Sequence, residues 1–309
     1  MSKVYWPLMK DCITVDDKKA MSDFVLNAGR FTNGPRVKQF EEEWSKWLGV
    51  KRSLFVSSGS TANFLLLAAV KELYGLKDGD KVLVPAVTWV TNIGPVIQLG
   101  LEPVFCDVDK HTFSFDKQYM KQLSLIHDDI KAVFVSHLFG VPAEIEEYKE
   151  ILPDAVFIED VCESHGARCK TGMAGTLSEG STFSFYFGHH ITTVEGGMVS
   201  TNNEELYQLM RAKRSHGMAR ECDPEYFQDY VSKYPEIHPM FMFITDGYNF
   251  RNSEIYAVLG TEQLKRLTDQ NIKREENYEK FRNIISKYPD IIKCDLVSEG
   301  TSSFCLQFI

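Results

Sequence analysis

The densest group of potentially reactive side chains lies in residues 181–198, which read STFSFYFGHHITTVEGGM. The aromatic run predicts a strand that leads into Gly188–His190, and a turn and Glu195–Gly197 then lead into another strand. His189 could act as a general base, because an unperturbed imidazole has a pKa of about 6.5. Two adjacent histidines could instead bind a metal. No third ligand stands at a zinc-binding spacing, so the pattern favours proton transfer over a metal site.

A second segment, Ser57–Asn63, combines hydroxyl side chains with a glycine directly after a predicted strand. If a helix begins there, the free N–H groups of its first turn form a seat for a phosphate together with Ser58, Gly59 and Ser60. The same residues could equally be a serine N-cap that binds no ligand. The segment is not a P-loop, because no Gly-Lys-Ser/Thr follows it.

A third segment places a carboxylate, Asp160, at the end of an apolar strand. A buried carboxylate there can keep the nitrogen of a bound pyridine ring protonated, which makes that ring an electron sink. Asp160 could instead only cap a helix. Trp89 follows another predicted strand and could stack on a flat ring, although a tryptophan is more often part of the core.

These segments need a scaffold that brings strand ends together. Short β-branched and aromatic runs alternate with helical patterns, which predicts a mostly parallel sheet covered by helices on both faces. In such α/β folds ligands bind at the carboxyl ends of the strands. The predicted strands are 53–56, 81–84, 103–106, 132–135, 155–158, 182–186 and 198–200. The predicted helices between them are 37–48, 61–74, 92–99, 117–124, 144–150 and 204–214.

The pattern changes after residue 214. We predict a long loop over 218–248, a long amphipathic helix over 253–288 and a last strand over 303–309. The expected domains are a large ligand-binding domain over residues 1–250 and the start of a small C-terminal α/β domain over residues 251–309. Because the last predicted strand ends on apolar residues without a turn, we expect that small domain to be incomplete.

Composition excludes several classes of protein. The 309 residues include 34 basic and 43 acidic side chains, so the net charge of −9 offers no basic field for nucleic acid or for a membrane surface. Seven scattered cysteines without a Cys-x-x-Cys or Cys-x-Cys pair indicate free thiols. There is neither an apolar signal segment nor a stretch long enough to cross a bilayer, so we expect a cytoplasmic protein.

Taken together, the three segments resemble the DegT/StrS family of sugar-nucleotide aminotransferases and dehydratases, which depend on pyridoxal 5′-phosphate (PLP). The resemblance extends to residues 5–8, 29–34, 214–218 and 247–251 in the family's order, and so covers essentially the whole chain. It implies the PLP-dependent transferase fold of type I, with a seven-stranded, mostly parallel sheet and a small C-terminal domain. It also implies a homodimer as the functional unit.

The resemblance further implies roles for single residues. Trp89 would stack on the cofactor ring, Asp160 would pair with the ring nitrogen, and Glu163 would lie beside the cofactor. Asn249 would reach the phosphate of the cofactor in the neighbouring subunit. The residues expected at the cofactor phosphate of the same subunit are Ser58, Gly59, Ser60 and Ser184.

One position departs from the aminotransferases of this family. They carry a lysine six residues before the glutamate of Glu-Gly-Gly, and this lysine links covalently to the cofactor. Here that residue is His189, whose imidazole cannot form the link but can still transfer a proton. We therefore predict a 3-dehydratase. Pyridoxamine 5′-phosphate (PMP) would react with a nucleotide-linked 4-keto-6-deoxy sugar, the C3 hydroxyl would be lost, and glutamate would reload the cofactor.

The segments Phe187–His190 and Glu195–Gly197 are similar to those of family members that act on GDP-4-keto-6-deoxy-D-mannose in dideoxysugar synthesis for O-antigen. Members that act on CDP-4-keto-6-deoxyglucose also carry this histidine. Some of those hold a [2Fe–2S] cluster on clustered cysteines, which this chain lacks, so we predict neither a cluster nor a reductase partner. His216, Arg220 and Arg251 are candidates for binding the diphosphate. An aminotransferase that tolerates the histidine and an inactive cofactor-binding homologue are the alternatives.

Overall fold

A central sheet organises the computed structural model, which describes residues 10–290 and 299–305. Its strands are β1 Arg52–Val56, β2 Lys81–Pro85, β3 Glu102–Cys106, β4 Ile130–Ser136, β5 Val156–Asp160, β6 Gly180–Ser184 and β7 Gly197–Thr201. They lie in the order β1-β7-β6-β5-β4-β2-β3, and β7 is antiparallel to both of its neighbours while the other pairs are parallel. The predicted seven-stranded, mostly parallel sheet is confirmed, with small shifts at the strand ends.

Helices pack on both faces of this sheet. They are α1 Val15–Asn27, α2 Pro35–Leu48, α3 Gly59–Leu73, α4 Gly94–Gln98, α5 Lys117–Ile126, α6 Ile145–Ile151, α7 Glu204–Arg214, α8 Pro224–Lys233 and α9 Glu254–Ile285. The side chains of β1 show how the two faces are filled: Leu54 and Val56 join a core with α3, whereas Phe55 packs with α2 through Phe40 and Trp44. This alternation follows from the two-residue period of a strand.

Two predictions for the C-terminal third are wrong. Residues 218–248 are not one long loop, because Pro224 starts helix α8, where its missing N–H costs nothing. Residues 303–305 are not in a strand, because the backbone here pairs with a turn: Ser302 N donates to Gly140 O at 2.8 Å, and Phe304 N to Phe139 O at 3.1 Å. Residues 306–309 of that predicted strand lie outside the described residues, as do residues 5–8 and Cys294.

The N-terminal helix α1, which the sequence analysis does not predict, begins at a capping box formed by Thr14 and Asp17. Helix α9 confirms the predicted long amphipathic helix, and it packs against both α1 and α2. Its first residue, Glu254, accepts hydrogen bonds from Arg36 N at 3.1 Å and Val37 N at 3.0 Å, so its carboxylate caps α2. The boundary between domains at residue 250 stays a prediction.

A buried hydrogen-bond network fixes the ends of β4 and β5. The Glu159 carboxylate accepts from Gly175 N at 2.7 Å, Leu177 N at 3.1 Å and the Ser178 hydroxyl at 2.7 Å, and it lies 3.0 Å from His137 Nε2. Ala143 N donates to His137 Nδ1 at 2.9 Å, which makes Nε2 the protonated nitrogen of a neutral imidazole. These contacts hold the strand ends where the sheet faces a cavity.

Candidate active site

A cavity of about 640 Å³ opens at the carboxyl ends of the central strands, where α/β folds bind ligands. All three segments singled out in the sequence contribute to its wall. The lining side chains include Ser58, Gly59, Ser60, Trp89, Asp160, Glu163, Ser184, Tyr186, His189, Glu195 and Phe304. The sheet thus brings together residues that are more than a hundred positions apart in sequence.

One end of the cavity is formed by the start of helix α3. Ser58 is its N-cap and accepts a hydrogen bond from Thr61 N at 3.1 Å, so the N–H groups of Gly59 and Ser60 have no partner within the helix. A Cβ on Gly59 would lie 2.6 Å from Cβ of Ser184, so only glycine permits this approach between α3 and β6. The result is a cradle of N–H and hydroxyl donors that suits a phosphate.

The Asp160 carboxylate lies at the end of β5 and is only 7% exposed. Its Oδ2 accepts hydrogen bonds from Asn63 Nδ2 at 2.8 Å and Asn92 Nδ2 at 2.9 Å, and its Oδ1 accepts from Cys162 N at 2.9 Å. Three donors thus converge on one buried carboxylate and fix its orientation. Asp160 presents this carboxylate to the cavity.

Two further side chains complete the wall on this side. Trp89 is 66% exposed, so it is not a core tryptophan, and its indole is available to stack on a flat ligand. Glu163 accepts a hydrogen bond from Phe139 N at 2.9 Å. Burial and the charge of Asp160 raise the pKa of Glu163 to about 7, so this carboxyl exchanges a proton near neutral pH.

His189 lies on the cavity wall with its backbone N donating to Tyr186 O at 3.0 Å. Its Nδ1 is buried without a hydrogen-bond partner, which leaves Nε2 as the nitrogen for proton transfer. Burial lowers the pKa of His189 to about 4; the charge of Arg274 adds to this effect and that of Asp160 opposes it. A neutral imidazole at physiological pH is ready to accept a proton.

Behind His189 lie two more imidazoles and a phenyl ring in near-parallel stacks. The ring centroids of His165 and His189 are 6.2 Å apart, those of His165 and His190 are 5.0 Å apart, and Phe304 lies 5.5 Å from His189. His190 is held by a 2.9 Å contact between its Nε2 and the carbonyl of Ser302. His165 is fully buried, neither of its ring nitrogens has a hydrogen-bond partner, and it does not line the cavity.

The buried histidines predict a specific pH dependence of stability. Burial lowers the pKa of His190 to about 3, whereas in the unfolded chain it is near 6.5. The unfolded chain therefore binds more protons below pH 6.5, and the contribution of His190 to stability is lost as the pH falls toward 3. We expect His190→Phe to reduce the loss of unfolding free energy between about pH 7 and about pH 5 by about 2 kcal/mol.

Urea unfolding at both pH values measures this difference. His127→Phe, at the end of α5, is the matched control and should leave the pH dependence of the native chain unchanged. Equal pH dependence in the native chain and in His190→Phe would show that His190 is protonated in the folded protein at about pH 5.

The predicted substrate and partner residues lie elsewhere. Arg251 Nε donates to Asn249 Oδ1 at 3.3 Å, Arg251 Nη2 is 3.5 Å from His216 Nε2, and Arg220 Nη1 donates to Met240 O at 3.0 Å. Of the described residues that line the cavity, none is Asn249, His216, Arg220 or Arg251. The chain nevertheless keeps their segment beside the cradle, because Ser57 N donates to Phe250 O at 2.9 Å.

Several functional positions have little signal in the sequence. Asn63 is part of the hydroxyl-rich segment, but its contact with Asp160 spans 97 residues, and that of Asn92 spans 68. Thr88 and Phe304 also line the cavity without belonging to a motif. Only knowledge of the strand order could have placed these side chains next to each other.

Metal-binding clusters and membrane-spanning helices are both absent from the described part of the chain. Within residues 10–290 and 299–305, His, Cys, Asp and Glu side chains form no group that could hold a metal ion. In the same residues no helix is both long and apolar enough to cross a membrane.

Comparison with known proteins gives the family. Residues 12–309 match the DegT/DnrJ/EryC1/StrS aminotransferase family. The chain is 39% identical over 274 residues to GDP-4-keto-6-deoxy-D-mannose 3-dehydratase of Yersinia pseudotuberculosis, an alignment that covers 86% of this chain and 68% of that enzyme.

Two solved structures extend the comparison to the fold. The Escherichia coli GDP-4-keto-6-deoxy-D-mannose-3-dehydratase with bound hydrated PLP superimposes with a TM-score of 0.86 at 32% identity, covering 99% of this chain and 79% of that structure. A GDP-4-keto-6-deoxymannose-3-dehydratase with a trapped PLP-glutamate geminal diamine gives a TM-score of 0.85 at 32% identity and the same coverage. The chain therefore has the fold of these enzymes and belongs to the DegT/DnrJ/EryC1/StrS aminotransferase family.

Proposed function

We propose that this chain is a PLP- and PMP-dependent 3-dehydratase that removes the C3 hydroxyl of a nucleotide-linked 4-keto-6-deoxy sugar. GDP-4-keto-6-deoxy-D-mannose is the first candidate substrate, because the 39% identical relative is named for it. Glutamate is the proposed amino donor, in line with the PLP-glutamate adduct trapped in a related enzyme. The observation that carries the proposal is His189, a neutral base on the cavity wall where aminotransferases of the family have a lysine.

The residues of the cavity fit the cofactor. The N–H groups at the start of α3, with Ser58 and Ser184, would hold its phosphate, Trp89 would stack on its ring, and Asp160 would pair with its ring nitrogen. The tight approach between Gly59 and Ser184 supports this assignment, because it closes a cradle of donors around the helix N-terminus. When bound, PMP supplies an amine that reacts with the keto carbon and a protonated ring that withdraws electrons.

Proton transfer is the part of the reaction that the chain's own side chains carry out. Nε2 of His189 accepts the proton whose removal accompanies loss of the C3 hydroxyl, and Phe304 and His165 limit the movement of its ring. Glu163 has a pKa of about 7 and therefore exists in both protonation states near neutral pH. It can supply a second proton from the wall of the same cavity. No covalent link between protein and cofactor forms at His189, since an imidazole cannot make one.

The partner, the location and the anion-binding residues belong to the same proposal. The functional unit is a homodimer in the cytoplasm, in which Asn249 reaches the neighbouring subunit's cofactor phosphate. His216, Arg220 and Arg251 bind the substrate diphosphate at this dimer contact. All of these residues lie outside the chain's own cavity, and Asn249, His216 and Arg251 lie in or against the segment beside the cradle, which supports a role across the subunit boundary.

The mass of the sugar product tests the proposal. The purified chain is incubated with PLP, glutamate and either GDP-4-keto-6-deoxymannose or CDP-4-keto-6-deoxyglucose, and the products are weighed by mass spectrometry. We expect the GDP-linked sugar to lose one oxygen atom. A 4-amino sugar would show an aminotransferase, conversion of the CDP-linked sugar alone would reassign the nucleotide, and cofactor binding without any product would indicate an inactive homologue.

A further inference from the structure

We propose that Asn63 and Asn92 are positioning residues that hold the Asp160 carboxylate in a fixed direction for the ring nitrogen of the cofactor. The proposal rests on the function proposed above. Its basis is a bifurcated contact in which both side-chain amides donate to the same oxygen, Oδ2 of Asp160, at 2.8 and 2.9 Å. All three side chains are buried, so water does not compete for these hydrogen bonds.

Neighbouring hydroxyl groups determine the orientation of each amide. Thr182 Oγ1 donates to the Asn63 carbonyl oxygen, and Thr88 Oγ1 donates to the Asn92 carbonyl oxygen at 2.7 Å. An amide oxygen turned toward Asp160 would face another acceptor, so the NH₂ group of each amide faces Asp160 and its oxygen faces the hydroxyl. The network is therefore built to present two donors to the carboxylate.

The count of lone pairs shows what remains for a ligand. An ionised carboxylate offers about four lone-pair sites. Oδ2 of Asp160 receives the two amides, and Oδ1 receives Cys162 N at 2.9 Å. The Cys162 thiol also interacts with this carboxylate but is a weak donor. A stronger donor, such as a protonated ring nitrogen in the cavity that Asp160 borders, can therefore take the remaining acceptor site.

The charge of the donors matters as much as their number. Among the described residues, no lysine, arginine or histidine forms an ion pair with Asp160. A cation there would stabilise the carboxylate but would disfavour a second positive charge on the ring. Neutral amides stabilise the carboxylate and leave its charge to be balanced by the cofactor, which is the condition for a strong electron sink.

The test measures the protonation of the ring nitrogen rather than turnover. PMP labelled with ¹⁵N in the ring is bound to the full chain, and the ¹⁵N chemical shift is followed from roughly pH 6 to 9. In the native chain we expect the nitrogen to stay protonated over this range. In Asn63→Leu and in Asn92→Leu, the ¹⁵N shift should move toward that of the unprotonated ring at every pH, because Asp160 no longer holds a fixed contact with the ring N–H, and the double variant should show the largest change.

A control variant and two replacement variants keep the outcome clear. Asn203→Leu removes an amide that caps α7 and contacts Glu179, outside the cavity, and should leave the ¹⁵N titration unchanged. If the leucine variants do not fold, Asn63→Val and Asn92→Val, which are smaller and likewise carry no hydrogen-bond donor, replace them.

The proposal and the proposed function fail in different ways. An unchanged ¹⁵N titration in the double variant, with PMP bound, would overturn the role of the two amides and leave the dehydratase proposal intact. Failure of the native chain to bind PMP would overturn both.

Discussion

Replacing His189 with asparagine is expected to lower kcat for loss of the C3 hydroxyl by about 10³-fold, the size of a general-base contribution. Asparagine keeps a polar side chain of similar reach but cannot accept a proton. Because the phosphate cradle, Trp89 and Asp160 remain, the affinity for PMP should change by no more than about threefold. Turnover and equilibrium dialysis of PMP measure the two quantities separately.

His127→Asn is the matched control for this variant. His127 ends α5 and does not line the cavity, so its replacement should leave both kcat and PMP affinity as they are in the native chain. A His189→Asn variant that retains more than about a tenth of native kcat would exclude His189 as the base.

Replacing His189 with lysine should give the cofactor a covalent anchor and change the product. A lysine amine at this position can bond to the aldehyde carbon of PLP, so borohydride treatment should attach the cofactor permanently to residue 189. The same amine should return a proton toward the amino sugar, so the sugar product should gain an amino group at C4 in place of losing oxygen. Intact-protein and peptide mass spectrometry, with product analysis, measure both effects.

The native chain provides the comparison for borohydride labelling, and we expect its PLP to remain removable. Lys213 is the nearest lysine that follows the motif in sequence, but it is buried in contacts with Glu72 and Asp246, at 2.6 Å each, and does not line the cavity. Permanent labelling of any lysine in the native chain would contradict the absence of a covalent anchor.

The sequence predicts the scaffold and most of the cavity wall because each motif directly follows a strand. Ser58 and His189 follow β1 and β6, and Asp160 is the last residue of β5; a mostly parallel sheet brings such strand ends to one edge. Local patterns therefore suffice for these residues. The family resemblance adds the chemistry, since no pattern of spacing distinguishes a ligand-binding helix N-terminus from a simple cap.

Other features depend on contacts that local patterns do not encode. The stack of His165 on His190 and the two amides on Asp160 join segments far apart in sequence, and their geometry follows from strand order and loop paths. The sequence pattern does not predict helix α8, because the three prolines of residues 218–248 are typical of a loop. Pro224 is nevertheless compatible with a first helical turn. In the proposed homodimer, His216 and Arg251 would belong to a site that two subunits share, and neither residue lines the cavity of a single chain.

The central claim is that the chain removes oxygen from its substrate and does not aminate it, and the ammonia released per sugar tests this most directly. In the proposed reaction the C3 carbon is reduced and its hydroxyl leaves as water, while glutamate is oxidised to 2-oxoglutarate and ammonia. The account predicts one ammonia and one 2-oxoglutarate for each GDP-4-keto-6-deoxymannose consumed. One 2-oxoglutarate with no ammonia would mean that nitrogen stays on the sugar, and would contradict it.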